Sequence, residues 1–324
     1  MRLSRNRILG TAVLAGAALL CAANVARAQD GQFLMPEQSA AKAKELLNQT
    51  ITALGGAAYL NVHDYTCTGR SGTFDHSGDM TNFVELKDSR ELPDKARFEY
   101  TRKGRNSILQ YAVGIDEGLE FTHGGIVITV YNGNRGWSYD RNGVTELPAD
   151  SIHDFRDQVN RSLGSVLRFR LKEPDMNFRY GGEDAVDLKP ADWVELTDAD
   201  DNTIRIAIAR DTHLPIREVV QVRDPHARVK VEQIYYFANY HAMNGVMTPL
   251  QTSQERNGIR ISQTFLDRCD YNLNPPEAAF TRDMLDKRWA QVSDKEKAQD
   301  KKEAQRVKDK QKEDQDSDNT PKKN

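Results

Sequence analysis

After residue 28 this sequence has no long apolar run, and its mean hydropathy is −0.69. A membrane-spanning helix, which needs about 20 largely apolar residues in a row, is not expected beyond that point. Cysteine is scarce, three in 324 residues, and no pair forms a CxxC. No two of the seven histidines share the spacing of a helical zinc site, so no metal centre is predicted. Asp211-x-His213 and Asp75-His76 read as exposed turn residues, because a closed metal site needs several convergent ligands. There is no GxSxG elbow, no phosphate-binding loop and no dinucleotide fingerprint, so no cofactor is implied. His123-Gly124-Gly125 has the composition of an oxyanion-hole loop, but no nucleophile elbow accompanies it. Carboxylate pairs abound among 48 acidic residues and identify no glycosidase by themselves. A net charge of −3 provides no basic field, which argues against a nucleic-acid partner.

What is present begins with an export signature. Arg2, Arg5 and Arg7 precede an apolar stretch over residues 8–25, which ends in the small-x-small pattern Ala26-Arg27-Ala28. Residues 1–28 are expected to be a cleaved signal peptide, placing the mature protein in the periplasm with no membrane span. Cys21 is lost with that segment. Residues 29–37 read as a linker, and residues 38–292 as the folded part. Residues 293–324 alternate Lys with Asp and Glu and hold Val307 as their one large apolar residue. Such a segment is expected to be a disordered tail or a transient solvated helix. An outer-membrane barrel is not expected, because the strands lack a sustained lipid-facing apolar band and this last segment is charged. Cys67 and Cys269 remain, one in an early strand and one in a late strand. In an oxidising compartment they form either a disulfide that ties the ends of the fold together or two separate buried thiols.

Hydrophobic periodicity divides the rest. Residues 37–54 read as a helix with Ala43, Leu47, Ile51 and Leu54 on one face, stopped by Gly55-Gly56. Strands are expected at 62–70, 81–87, 95–102, 107–113, 125–131, 135–140 and 144–147. A second amphipathic helix starts near Asp150 or Ser151 and runs to Glu173-Pro174, with Ile152, Phe155, Val159, Leu163, Val166 and Leu167 in one stripe. Strands resume at 191–197, 203–209, 214–222, 229–240, 247–255 and 259–271, punctuated by Asn244-Gly245 and Asn257-Gly258. A short helix follows at 282–292. Short turns make neighbouring strands antiparallel, and a sheet this long must curl. The fold class is therefore mainly β (α+β), a strongly curved antiparallel sheet with an N-terminal and a mid-chain helix on it.

Aromatic and branched residues in the strands are the candidate ligand-binding set: Phe83, Phe98, Tyr100, Ile128, Trp137, Trp193, Ile206 and Phe237. They line an apolar cavity or fill an ordinary core. Phe155, Val159 and Leu163 mark the mid-chain helix as a lid over the sheet or as a plain core helix.

Three segments carry a resemblance. Glu91-Leu92-Pro93-Asp94-Lys95-Ala96-Arg97-Phe98-Glu99-Tyr100 resembles the early strand of the LolA-like periplasmic lipoprotein carriers. Residues 131–140, an Asn-Gly turn followed by Trp137 and Tyr139, resemble that family's next landmark, and Asp211-Thr212-His213-Leu214-Pro215 resembles its late turn. Those carriers have an Arg just before the Pro; here Leu92 stands there and Arg90 lies two residues further back. The resemblance implies a half-open antiparallel β-barrel covered by helices, with an apolar cavity. It implies a non-catalytic binding or carrier function for lipid, acylated protein or another hydrophobic ligand. The alternatives are a sensor module on the same scaffold that binds an envelope protein partner and, third, a periplasmic enzyme.

Overall fold

The computed structural model describes residues 34–102, 121–122, 124–223 and 230–318. The signal peptide and the strand expected at 107–113 lie outside the described residues. Helix α1 spans Pro36–Ala53, with α2 (Ala57–Leu60) beyond the glycine pair. Gly55 cannot be replaced freely: at φ +124° a Cβ there would meet the Gly245 carbonyl oxygen. Strands β1 (Asp64–Phe74), β2 (Met80–Glu91), β3 (Lys95–Thr101), β4 (Ile126–Asn132), β5 (Arg135–Asp140) and β6 (Gly143–Glu146) follow. Next come α3 (Ala149–Arg161), α4 (Leu163–Phe169), β7 (Asn177–Val186), β8 (Lys189–Thr197), β9 (Thr203–Ala209) and β10 (Pro215–Arg223). The chain continues through β11 (Lys230–Met243), β12 (Val246–Arg256), β13 (Ile259–Tyr271), α5 (Arg282–Gln291) and α6 (Asp294–Asp318).

The 13 strands of the described residues form one antiparallel sheet in the order β6-β5-β4-β3-β2-β1-β13-β12-β11-β10-β9-β8-β7. The fold class read from the sequence is the one observed: a curled antiparallel sheet with helices on it, left open between β6 and β7. Two meanders spread from a central seam where β1 pairs with β13. At that seam Cys67 faces Cys269, and the two are disulfide-bonded with Cα atoms 4.0 Å apart.

Alternation along the strands gives each wing two faces. On the concave face of β8–β10, Val194, Leu196, Ile204, Ile206, Ile208 and Val220 pack with Ala43, Leu46 and Leu47 of α1 and Val166 and Leu167 of α4. On the concave face of β3–β4, Ala96, Phe98 and Tyr131 meet Phe155 and Val159 of α3, with the Tyr131 and Phe155 rings stacked at 3.9 Å. Among the described residues, helices thus fill both wings and do not cover the central strands between them.

The mid-chain helix is two helices, not the single one expected. Ser162 breaks it: its backbone is extended at ψ 142°, and its hydroxyl accepts from the Ser165 amide as the cap of α4.

The convex face of β4 and β5 is covered by the chain after β13. Phe280 and Leu285, both fully buried, pack on Ile128, Val130, Trp137 and Tyr139. Arg97 donates to the Ala279 carbonyl and Asn132 to that of Phe280, pinning the cover. Leu285→Ala is expected to lower stability by about 2–5 kcal/mol, since it removes the centre of a closed cluster. Urea denaturation checks this; an unchanged midpoint would mean that α5 does not close that face. Beyond α5 the charged segment is helical over Asp294–Asp318, and Lys297 sits 5.5 Å from the Trp289 ring.

Candidate functional site

The uncovered centre of the concave face holds a cavity of about 480 Å³. One wall comes from β1–β3, with Tyr65, Leu86, Asp88, Arg90, Phe98 and Tyr100. The opposite wall comes from β10–β13, with Glu218, Val220, Tyr235, Phe237, Thr252 and Leu266. Cys67 and Cys269 lie in its floor, so the disulfide closes the seam beneath the space. The α3–α4 junction, Arg161 to Gly164, and Arg168 form one border, and Tyr59 of α2 another.

The lining is amphipathic. Phe98, Phe237, Leu86, Leu266 and the tyrosine rings supply apolar surface. Among the charged groups, Arg90 makes a two-pronged pair with Asp88, Nε to Oδ1 at 2.9 Å and Nη2 to Oδ2 at 3.2 Å. It also lies 4.8 Å from the Phe98 ring. Arg161 pairs with Asp157 on its own helix at 3.3 Å. Arg168 has no carboxylate partner among the described residues. Its Nε donates to the Tyr59 carbonyl at 3.0 Å and its Nη1 to that of Gly164 at 3.3 Å, while its guanidinium lies 3.9 Å from the Tyr59 ring centre.

In this cavity wall Glu218 departs from the rule that buried charges are paired. It is 2% exposed and its Oε1 has no hydrogen-bond partner. Burial pushes its carboxyl up to about 8, offset only in part by the backbone N–H of Leu163. Burial also pushes the Tyr59, Tyr65 and Tyr100 phenols up to about 12, so all three keep their protons at neutral pH. These three hydroxyls make no hydrogen bond among the described residues. The Tyr235, Tyr240 and Tyr271 hydroxyls are occupied, by Gln233 and Gln254, the Pro215 carbonyl and Thr248.

Of the residues singled out from the sequence, Phe98, Tyr100, Phe237 and Leu163 line this cavity. Phe155 and Val159 sit behind Phe98, where they hold α3 on the sheet. Ile206 is on the concave face but under α1. Ile128 and Trp137 face the other way, into the cluster beneath α5, and Trp193 packs with Val186, Ala207 and Val219 on the convex side. Phe83, across from Gly72, is 37% exposed and is not part of this cavity's lining. Sequence reasoning missed Glu218, Arg168, Tyr59 and Tyr65. One signal could have found Glu218: it is a charged residue in step with Val220, on the face that its neighbouring strands make apolar.

Among the described residues no group of three His, Cys, Asp or Glu side chains converges as a metal site, and no helix is long and apolar enough to cross a membrane. No family model matches the sequence, and no curated protein matches it. Solved structures do resemble it. A DUF1329 family protein from Desulfovibrio piger superposes with a TM-score of 0.50 at 14% identity, covering 75% of this chain and 98% of that one. A LolA superfamily protein from Nitrosomonas europaea gives 0.44 at 11% identity, covering 75% and 98%. At such identities the first likeness is one of fold.

Proposed function

We propose that this protein is a non-catalytic periplasmic binding or carrier protein that holds a lipid or acyl chain in the cavity between its helix-covered wings. One observation carries the reading: the helices fill the concave face on both sides and leave an aromatic-walled space of about 480 Å³ between them. A soluble chain that curls 13 strands around a space of this kind has a site of the size and lining that small apolar ligands occupy. Each methylene moved from water into such a site contributes about 0.8 kcal/mol. The break at Ser162 supplies the point at which α3 and α4 move apart for entry and release. The buried disulfide suits the oxidising compartment to which the signal peptide directs the chain.

Filling the cavity tests the reading. Thr252 lies on the interior face, opposite Phe237 and Thr264. Thr252→Trp is expected to weaken uptake of cis-parinaric acid, a fluorescent fatty acid, by about tenfold or more, a change of about 1.4 kcal/mol. Uptake equal to that of the unaltered chain would place the bound probe elsewhere and contradict the proposal.

A further inference from the structure

Resting on that reading of the cavity, we infer that its ligand is a single-chain amphiphile with a carboxylate head, seated between Arg168 and Glu218. Three observations converge on this. Glu218 is almost wholly buried in the cavity wall, with Oε1 unpaired. An unpaired buried polar atom costs about 1–3 kcal/mol, and a ligand atom that pairs with it removes that cost. Arg168 borders the same space with a guanidinium whose partners in the protein are two neutral carbonyls and a ring. Its charge is uncompensated by any carboxylate among the described residues. Finally, the two groups share a neighbourhood. Arg168 lies over the Tyr59 ring, Tyr59 also feels the field of Glu218, and the Leu163 amide that faces Glu218 begins the short helix that carries Arg168.

The sign of the head group follows from the inventory of donors. A neutral Glu218 offers an O–H, the Tyr59, Tyr65 and Tyr100 hydroxyls are uncommitted, and Arg168 adds N–H donors with a full positive charge. These groups match a head that only accepts hydrogen bonds, and the charge-assisted contacts from the guanidinium are the stronger ones. An ammonium head would meet Arg168 as a like charge. The volume, in the lower half of the roughly 300–1,000 Å³ usual for ligand sites, fits one chain better than several. The apolar tail would lie along Phe98, Leu86 and Leu266.

The test compares hexadecanoate, methyl hexadecanoate and hexadecylamine on the full chain at pH 7 by isothermal titration calorimetry. Hexadecanoate is expected to bind about tenfold more tightly than its methyl ester, with the amine weakest. Arg168→Met keeps a long apolar side chain and is expected to remove the roughly tenfold advantage of the acid over the ester. If that variant fails to fold, the three-ligand comparison on the unaltered protein still decides. Equal binding of acid and ester overturns this inference and leaves acyl-chain binding standing. Preference for the amine overturns it in favour of an ionised Glu218 as counter-ion. Binding of none of the three overturns the reading of the cavity itself, and this inference with it.

Discussion

Replacing Cys67 and Cys269 together by alanine is expected to lower folding stability by about 4–5 kcal/mol, among the largest effects available to a two-residue change in this chain. The two cysteines are 202 residues apart in sequence, so the bond closes the chain from the first strand to the last into one loop. In the chain-entropy account, that loop removes more freedom from the unfolded state than a local crosslink would. The location adds a functional consequence. The bond lies on the β1–β13 seam, where the two meanders meet, and its sulfurs are in the cavity floor. Chemical denaturation with and without dithiothreitol checks the effect: reductant should reproduce the double substitution. A midpoint indifferent to both would mean that the seam is held by its strand pairing alone.

Glu218→Gln is expected to change the pH dependence of stability. In the unfolded chain this carboxyl titrates near 4.5; in the folded chain burial lifts it to about 8. Between those values the folded state holds a proton that the unfolded state has lost. Folding stability therefore falls as pH rises through this window, and the loss is complete above about pH 8. Glutamine cannot ionise. The stability of the variant relative to the unaltered protein should rise by on the order of 4 kcal/mol between pH 4.5 and pH 9, at about 1.4 kcal/mol for each pH unit of displacement. The phenols near Glu218 do not mask this: Tyr59, Tyr235 and Tyr240 are all pushed above their ordinary range by burial. Urea denaturation across that range, on both proteins, measures the difference. A constant gap would mean that Glu218 ionises as it does in water and that its side chain reaches solvent.

The sequence made the scaffold more legible than the site. Helix α1 is readable because Ala43, Leu47 and Leu54 recur at helical spacing and all three are buried. Strand β9 is readable because Ile204, Ile206 and Ile208 alternate, and the Asn244-Gly245 and Asn257-Gly258 turns are readable because both residues of each pair take positive φ. Strand β7 was missed. Gly181-Gly182-Glu183-Asp184 are poor strand formers, and as an edge strand it owes its shape to pairing with β8 and to α1 lying across it. The break at Ser162 was missed because the apolar stripe continues straight through it. The site fared worse, for a physical reason. Period-two alternation tells which residues share a face but not which face is concave. Ile128 and Trp137 are as apolar as cavity residues, yet they are buried on the convex side, because a cover from after β13 makes that side apolar too. Arg168 leaves no periodic signature, since it acquires its role only when β10 and α4 come together; Glu218 leaves only the single charged position in step with Val220.

The central claim is that the cavity holds an acyl ligand, and it is tested most directly on the protein as its own cells make it. The full chain, purified in mild buffer, would be weighed by native mass spectrometry, and the same sample extracted with organic solvent for lipid identification. The account predicts a second species heavier by the mass of one bound lipid, which disappears on extraction and carries a carboxylate head. A single ligand-free mass, together with no uptake of added fatty acid, would contradict it.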